Sequence, residues 1–238
     1  MASKDNDQQI KLFQTHEHDC SYLPGQRAQT LFVDPDVTLN RFAQTQLAEQ
    51  GYRRSGDFVY RPNCRACQAC IPIRIPVNEF TPNRTQRRVL KKNQSLAINV
   101  SEARLTDEIY DLYARYISAR HRDGDMYPPS PEQFEDFLVK AQADNLFIEY
   151  REEGRLVAVA VTDLLENAYS AVYSFFNPDN RQASYGVFTI LSQIELAQQA
   201  NLDYLYLGYW IKACQKMRYK IDYRPTELFI KGQWTRLT

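Results

Sequence analysis

The sequence predicts a mixed α/β protein in two unequal parts, a smaller cysteine-bearing N-terminal part and a larger C-terminal one. Three observations lead there. From about residue 100 the hydrophobic spacing switches in a regular series between helical and strand periods. Before it, short extended runs broken by prolines surround "RPNCRACQAC", where three cysteines stand three residues apart. Charge divides the same way. Between Arg41 and Arg104 twelve Lys/Arg face four acids, a surplus of eight, in a chain whose 29 basic and 29 acidic side chains cancel overall. Such a block favours a polyanionic partner or an acidic substrate over a merely solvated face. With 238 residues, 44% hydrophobic and 24% charged, the chain is long enough for a real core. No apolar run approaches the roughly 20 residues that span a bilayer, and "MASKDNDQQIKLFQ" lacks the apolar centre of a secretory signal. The cytosol is the expected compartment, and disulfides are not expected among the five cysteines there.

The elements follow in order. "DVTLNRFAQTQLAEQG" reads as a helix, with Thr38 as cap, Leu39, Phe42, Ala43 and Leu47 as its apolar stripe, and Gly51 as its end. "FVYRP" is strand-like, "IPIRIPV" is extended by its prolines, "TQRRVLKKNQ" is a short basic helix, and "LAINVSEA" alternates as a strand does. Thr106 caps a helix with Ile109, Leu112, Tyr113, Tyr116 and Ile117 on one face. "RHRDGDMYPPS" is a loop. Ser130, Pro131 and Gln133 form a capping box leading to Phe134, Phe137 and Leu138. Three strands follow, "NLFIEYRE", "RLVAVAVTDLL" and "AYSAVYSFFNP", the first two joined by a Glu153-Gly154 hairpin turn. "DNRQASYGVFTILSQIELAQQAN" is a polar loop entering a strong helix, and "LDYLYLGYW" is a last apolar strand. The order from residue 100 is β-α-α-β-β-β-α-β, that of the GNAT acyltransferase fold. The expected division is a basic N-terminal domain over residues 1–100 and a GNAT-like domain over residues 101–238.

In that fold the loop before the main helix has the form Q/R-x-x-G-x-G/A and holds the pyrophosphate of coenzyme A on backbone N–H groups. In "RQASYG" Arg181 and Gly186 fit the outer positions, but Ser184 replaces the middle glycine, which argues for a donor other than coenzyme A. Residues 204–225 interleave Tyr204, Tyr206, Tyr209, Trp210, Tyr219 and Tyr223 with Lys212, Lys216, Arg218, Lys220 and Arg224. Aromatic rings can stack on bases and the cations can meet phosphates; packing in a core strand with a basic edge is the simpler reading of the same pattern.

"YLGYWIKACQKMRYKIDYRP" closely resembles the C-terminal signature of the aminoacyl-tRNA–protein transferases, which include eukaryotic arginyltransferases and bacterial leucyltransferases acting on N-terminal Asp or Glu. "GYRRSGDFVYRPNC", "TPNRTQRRVLKKN" and "SFFNPDNRQASYGVFTILSQIELA" resemble further motifs of that family, in the same order, from about Cys20 to Arg224. The compact length and the C-x2-C-x2-C run resemble the bacterial aspartate/glutamate leucyltransferase branch. The resemblance implies an aminoacyltransferase that moves leucine from leucyl-tRNA to the α-amino group of proteins beginning with Asp or Glu, marking them for degradation by the N-end rule. Arginyl-tRNA as donor, an acetyl-CoA-dependent N-acetyltransferase and a non-catalytic RNA-binding protein are the alternatives. Membranes and DNA are not expected partners.

The reaction is aminolysis of an already activated ester, so positioning, an oxyanion donor and a proton route suffice, without a covalent intermediate or a required cofactor. An acidic first residue calls for arginine. Arg53, Arg54 and Arg74 are the candidates, Arg74 foremost, with Tyr127 beside them to read the amine. Tyr173, Asp125 and His121 are candidates for proton handling. The tRNA falls to Arg84, Arg87, Arg88, Lys91 and Lys92, with Lys216, Arg218, Tyr209 and Trp210 near its acceptor end and Arg181, Ser184 and Gly186 bordering the donor cleft. Cys64, Cys67 and Cys70, with Cys20 or a histidine (His16, His18) as fourth ligand, have the soft donors of a zinc site or an iron–sulfur cluster. Reduced thiols packing the small domain are the other reading. Cys214 is expected to be a packing residue.

Overall fold

The computed structural model describes residues 10–237. Fourteen strands and five α-helices follow one another among them. The N-terminal part holds β1 (Leu12–Gln14), β2 (His18–Asp19), β3 (Arg27–Ala28), β4 (Thr30–Val33), α1 (Arg41–Glu49), β5 (Arg53–Ser55) and β6 (Phe58–Pro62). A four-stranded sheet, ordered β1-β4-β6-β5, packs Val33, Leu39, Leu47 and Tyr52 into a small core. Asn40, not Thr38, caps α1, accepting from Ala43 N at 2.8 Å, so the helix starts two residues later than the sequence suggests. Phe42, placed in the apolar stripe by its spacing, is 63% exposed.

Next come β7 (Ile71–Pro76), α2 (Arg84–Lys92), β8 (Ala97–Glu102), α3 (Asp107–Arg120), α4 (Pro131–Phe134), β9 (Asp144–Glu152), β10 (Arg155–Leu164), β11 (Ala168–Phe176), α5 (Tyr185–Gln199), β12 (Tyr204–Trp210), β13 (Thr226–Ile230) and β14 (Gln233–Leu237). They build an eight-stranded sheet ordered β14-β13-β7-β12-β11-β10-β9-β8. β7 and α2, although they precede residue 100, pack with the larger part: β7 pairs with both β12 and β13 inside the large sheet, and the basic helix α2 lies against α5.

Local chemistry accounts for the expected elements. Thr106 caps α3 through Ile109 N, and Ser130 caps α4 through Gln133 N at 3.1 Å. A π turn over Glu135–Val139 then ends the short helix and leaves Phe134 and Leu138 buried. Glu153 and Gly154, at φ of 50° and 85°, make the two-residue β9–β10 turn. β10 is buried on both faces. Val157, Ala158 and Ala160 pack toward α5, while Leu156, Val159 and Val161 pack toward α3 and α4. Its continuous apolar run is what a strand covered on both sides requires.

Two irregularities position the site. β11 and β12 are parallel and pair only over Ala168–Ser170 and Tyr204–Tyr206, then part. Where they part, β11 carries a bulge: Tyr173 pairs with Val161 and Ala171 with Thr162, leaving Val172 out of the ladder.

Candidate active site

The parting strands open a cleft of about 450 Å³. Its walls include Val172, Tyr173 and Ser174 of β11, Ile190 and Gln193 of α5, Tyr116 of α3 with His121 beyond it, and Met126. Arg53 and Tyr60 come from the small sheet, and Lys216, Met217, Tyr219 and Lys220 from the segment after β12.

Arg53 is the wedge. Its Nη2 donates to Val172 O at 2.9 Å, the carbonyl that the bulge withdraws from the sheet. Its other side lies against Gly208 of β12, at φ 73°, where an added Cβ would stand 2.7 Å from Arg53 Nη1. Only glycine suits both that backbone and that approach. No carboxylate pairs with Arg53 among the described residues. Tyr22, Tyr60 and Tyr209 surround it.

The other two arginine candidates are committed elsewhere, and this corrects their assignment. Successive side chains on a strand point to opposite faces, so Arg54 turns away from its neighbour. It is 6% exposed and grips Asp163 of β10 through Nε and Nη2 at 2.7 to 3.0 Å. Arg74 is 8% exposed, bonds Glu227 at 2.7 Å and Tyr206 at 3.1 Å, and stacks on Tyr204 and Trp234. It joins β7 to β13 and takes no part in the cleft.

The proton-handling candidates divide. Tyr173 lines the cleft, and its buried hydroxyl has no hydrogen-bond partner; burial raises its pKa. His121 also lines the cleft, 3.4 Å from Tyr116 Oη, and burial, then the Lys216 charge, lower its pKa. Asp125 and Tyr127 do not line it; Met126 between them does. Tyr127 is 42% exposed beneath Arg122.

Among the nucleic-acid candidates, Tyr209 is reassigned. It is buried, with its single hydroxyl hydrogen shared between Gly51 O at 3.0 Å and Tyr60 O at 3.2 Å, so it staples β12 to the small sheet and offers no face for stacking. Trp210 donates to Arg218 O and packs at the core edge. Arg84, Arg87, Arg88, Lys91 and Lys92 are exposed on α2 and enter no ion pair with a described carboxylate. Lys92 Nζ donates to Gln182 O at 2.8 Å and Asn93 to Ala183 O at 2.9 Å, so this basic face adjoins the loop entering α5. There Arg181 is exposed, Ser184 is left-handed at φ 55° and caps nothing with its side chain, and a Cβ added at Gly186 would stand 3.2 Å from the Phe176 ring. Phe176 in turn packs on Tyr116 of the cleft wall. Lys216 lines the cleft and pairs with Asp123 at 3.3 Å; Arg218 is exposed.

Cys20, Cys64, Cys67 and Cys214 all lie near enough to Cys70 to act on it, and burial with these neighbours raises its pKa to about 12. Cys64 Sγ accepts from Gln29 N at 3.4 Å. Among the described residues no group of three or more His, Cys, Asp or Glu side chains is spaced to hold a metal ion. Cys214 is free and buried, as a packing residue is.

The sequence reading left Lys220 among the cations of a basic edge and did not single out Gln193. Gln193 is 2% exposed, its Oε1 accepting from Thr162 and its Nε2 donating to Thr189 O. Lys220 is 7% exposed and its Nζ donates to Tyr209 O at 3.0 Å. With Arg53, Lys216 and His121 it gives the cleft four basic side chains, and no Asp or Glu among the described residues lines it. Beyond Ser55 and Phe137, which border both, lies a groove of about 890 Å³ whose charged lining is mostly acidic: Asp57, Glu132 and Asp136, with Lys140.

The site is thus set in a mixed sheet whose central parallel strands part beside a bulge, with a helix starting at the opening. Solved structures that align with the chain include FemX (TM-score 0.44, 8% identity, 84% of this chain and 79% of that one). A GCN5-related glucosamine N-acetyltransferase region of a fungal multi-domain GH3 β-N-acetylglucosaminidase also aligns (TM-score 0.42, 11% identity, 82% and 22%). The family model for the arginine-tRNA-protein transferase N terminus matches residues 18–88, and that for the C terminus matches residues 108–230. The aspartate/glutamate leucyltransferase of Pseudomonas fluorescens SBW25 is 51% identical over 228 residues, 96% of this chain and 97% of that one. That of Pseudomonas entomophila L48 is 52% identical over 228 residues, with the same coverage. The chain belongs to this arginine-tRNA-protein transferase family.

Proposed function

We propose that the protein is an aspartate/glutamate leucyltransferase, moving leucine from leucyl-tRNA to the α-amino group of proteins that begin with Asp or Glu and so marking them for N-end-rule degradation. The relatives' names supply the substrates. The observation that carries the reading to this cleft is its lining of four basic side chains and no acid. An acidic side chain entering there replaces its water shell with fixed cations, Arg53 and Lys216 first. An Arg fork is the preferred partner for a carboxylate, and Arg53 is the one arginine of the three candidates that faces the cleft.

The chemistry asks little more. The ester carbonyl must sit where a donor meets its developing oxyanion, and the orphaned Tyr173 hydroxyl is the available donor. The tRNA approaches over α2 and the loop entering α5, where exposed cations adjoin an uncapped helix start. The acidic groove past Ser55 and Phe137 repels that polyanion, which leaves it to the acceptor polypeptide. Charged tRNA is a cytosolic substrate, and among the described residues no helix is long and apolar enough to cross a membrane; we assign the protein to the cytoplasm.

The test uses tRNA charged with labelled leucine or arginine and peptides beginning with Asp, Glu or Ala. Leucine should pass to the Asp and Glu peptides and not to Ala. Arginine as the better donor would overturn the branch, and no transfer from either would overturn the whole reading.

A further inference from the structure

Aminolysis has one requirement that the cations of the cleft do not meet. The acceptor arrives largely as an α-ammonium and must lose a proton before its nitrogen can attack. Lys220 has the setting for that task. It lies in the short helical turn Arg218–Asp222, buried at the cleft wall, and its Nζ makes one hydrogen bond, to Tyr209 O at 3.0 Å. No carboxylate pairs with it among the described residues. The titratable groups around the same cavity are Arg53 from β5, Tyr22 and Tyr60 from the N-terminal part, Tyr116 and His121 from α3 and its end, and Tyr173 from β11. Lys216 and Tyr219 belong to its own segment, and Cys214 acts on it from that segment too. Burial, then the Arg53 charge, disfavours its ammonium and holds its pKa down to about 7. A neutral Nζ keeps its lone pair for the cavity while donating to Tyr209 O.

We propose that Lys220 is the catalytic base, its buried and unpaired amine at the wall of the cation-lined cleft accepting the proton of the acceptor's α-ammonium. The proposal rests on the leucyl-transfer reading. Nζ takes one proton, and the freed amine attacks the ester carbonyl, forming the C–N bond. As the intermediate collapses, the bond from carbon to the tRNA ribose oxygen breaks and Lys220 returns its proton to that oxygen. The new amide nitrogen sheds its extra proton to water, so one proton is released per turnover and Lys220 ends neutral.

The experiment compares two acceptors on the intact protein: a Glu-initiated peptide, and its analogue with an aminooxy group in place of the α-amine, a nucleophile already neutral near pH 6. Lys220→Met should lower kcat on the amine peptide by about 10²- to 10⁴-fold with little change in KM, and recover to within about tenfold of wild type on the aminooxy peptide. Lys220→Arg, whose guanidinium stays protonated and cannot accept a proton, should lose activity in the same way. Competitive acetic anhydride labelling of the wild type, read by mass spectrometry across pH, should show Lys220 becoming reactive near pH 7. Equal loss on both acceptors, an active Lys220→Arg, or a Lys220 protonated to pH 9 would overturn the proposal. A wild type that labels near pH 7 but transfers to neither acceptor would instead sink the leucyl-transfer reading beneath it. A rate loss for the amine peptide in His121→Gln, with Lys220→Met unaffected, would give the role to the histidine and overturn the proposal.

Discussion

Replacing Gly208 by alanine tests the wedge. At φ 73° any side chain strains the backbone, by about 1–2 kcal/mol for a left-handed L-residue. The added Cβ also meets Arg53 Nη1 at 2.7 Å and Cζ at 3.2 Å. A guanidinium is the mobile end of a long side chain, so the collision is relieved by moving Arg53 rather than the sheet. Moving it breaks the charged hydrogen bond to Val172 O, worth about 1.5–3 kcal/mol. Gly154 is the control: φ is 85° in the hairpin turn and nothing lies within 4 Å of an added Cβ. Gly154→Ala should show the backbone strain alone in denaturant unfolding, with transfer unchanged. Gly208→Ala should lose roughly 2.5–5 kcal/mol by the two contributions together. The decisive assay is the ratio of kcat/KM for Glu- and Gln-initiated peptides. With Arg53 displaced, the ratio should fall by at least about tenfold, or 1.4 kcal/mol. A Gly208→Ala protein that keeps the wild-type ratio would refute the role of Arg53 in reading the carboxylate, whatever its stability.

Other perturbations separate structural from functional charges. Asp163→Asn leaves Arg54 buried without its partner and should cost about 3–5 kcal/mol in chemical denaturation, whereas Arg54→Met with Asp163→Leu should recover most of it. Arg88→Ala combined with Lys91→Ala should reduce the slope of log affinity for charged tRNA against log salt by about 1.4–1.8, with peptide KM unmoved. Lys220 binds fewer protons folded than unfolded between its folded pKa of about 7 and the ordinary value near 10.4. Unfolding free energy should therefore rise with pH across that window, by up to about 1.4 kcal/mol per unit, and its burial penalty is complete below pH 7; Lys220→Met should abolish that rise. Cys70, with its pKa raised to about 12, should resist iodoacetamide at pH 8 until the protein unfolds.

How much of this the sequence shows depends on the distance over which each feature is decided. The caps at Thr106 and Ser130, the Glu153-Gly154 turn and the run from β9 to β12 are set by neighbours a few residues apart, and the residue types declare them. Arg53 and Arg54 are adjacent, and alternation alone says that they point apart. Which one meets the cleft depends on Asp163, 109 residues away, claiming the other. Arg74 follows the cysteines as an acceptor site would, yet Glu227 and Trp234 hold it from strands whose pairing with β7 has no local signature. Lys220 stands in "RYKIDYRP", a stretch whose composition reads as a solvated edge. Only the packing of that turn under Tyr209 buries it.

The surplus of eight positive charges between Arg41 and Arg104 likewise changes meaning once folded. Arg41, Arg54, Arg74 and Arg104 are paired with Asp144, Asp163, Glu227 and Glu149, all outside that stretch; the first two tie the small part to β9 and β10, the other two act within the large sheet, and all four offer little to a partner. What remains free is sorted by place. The cations of α2 stand together beside the loop entering α5, Arg53 faces the cleft with no carboxylate partner among the described residues, and the acids Asp57, Glu132 and Asp136 gather on the side the cations leave. A polyanion and a polypeptide with one acidic terminal side chain make opposite demands on a surface. This arrangement meets both by keeping the broad positive face and the unpaired Arg53 on different elements, beside the cleft in which we place the meeting of ester and amine.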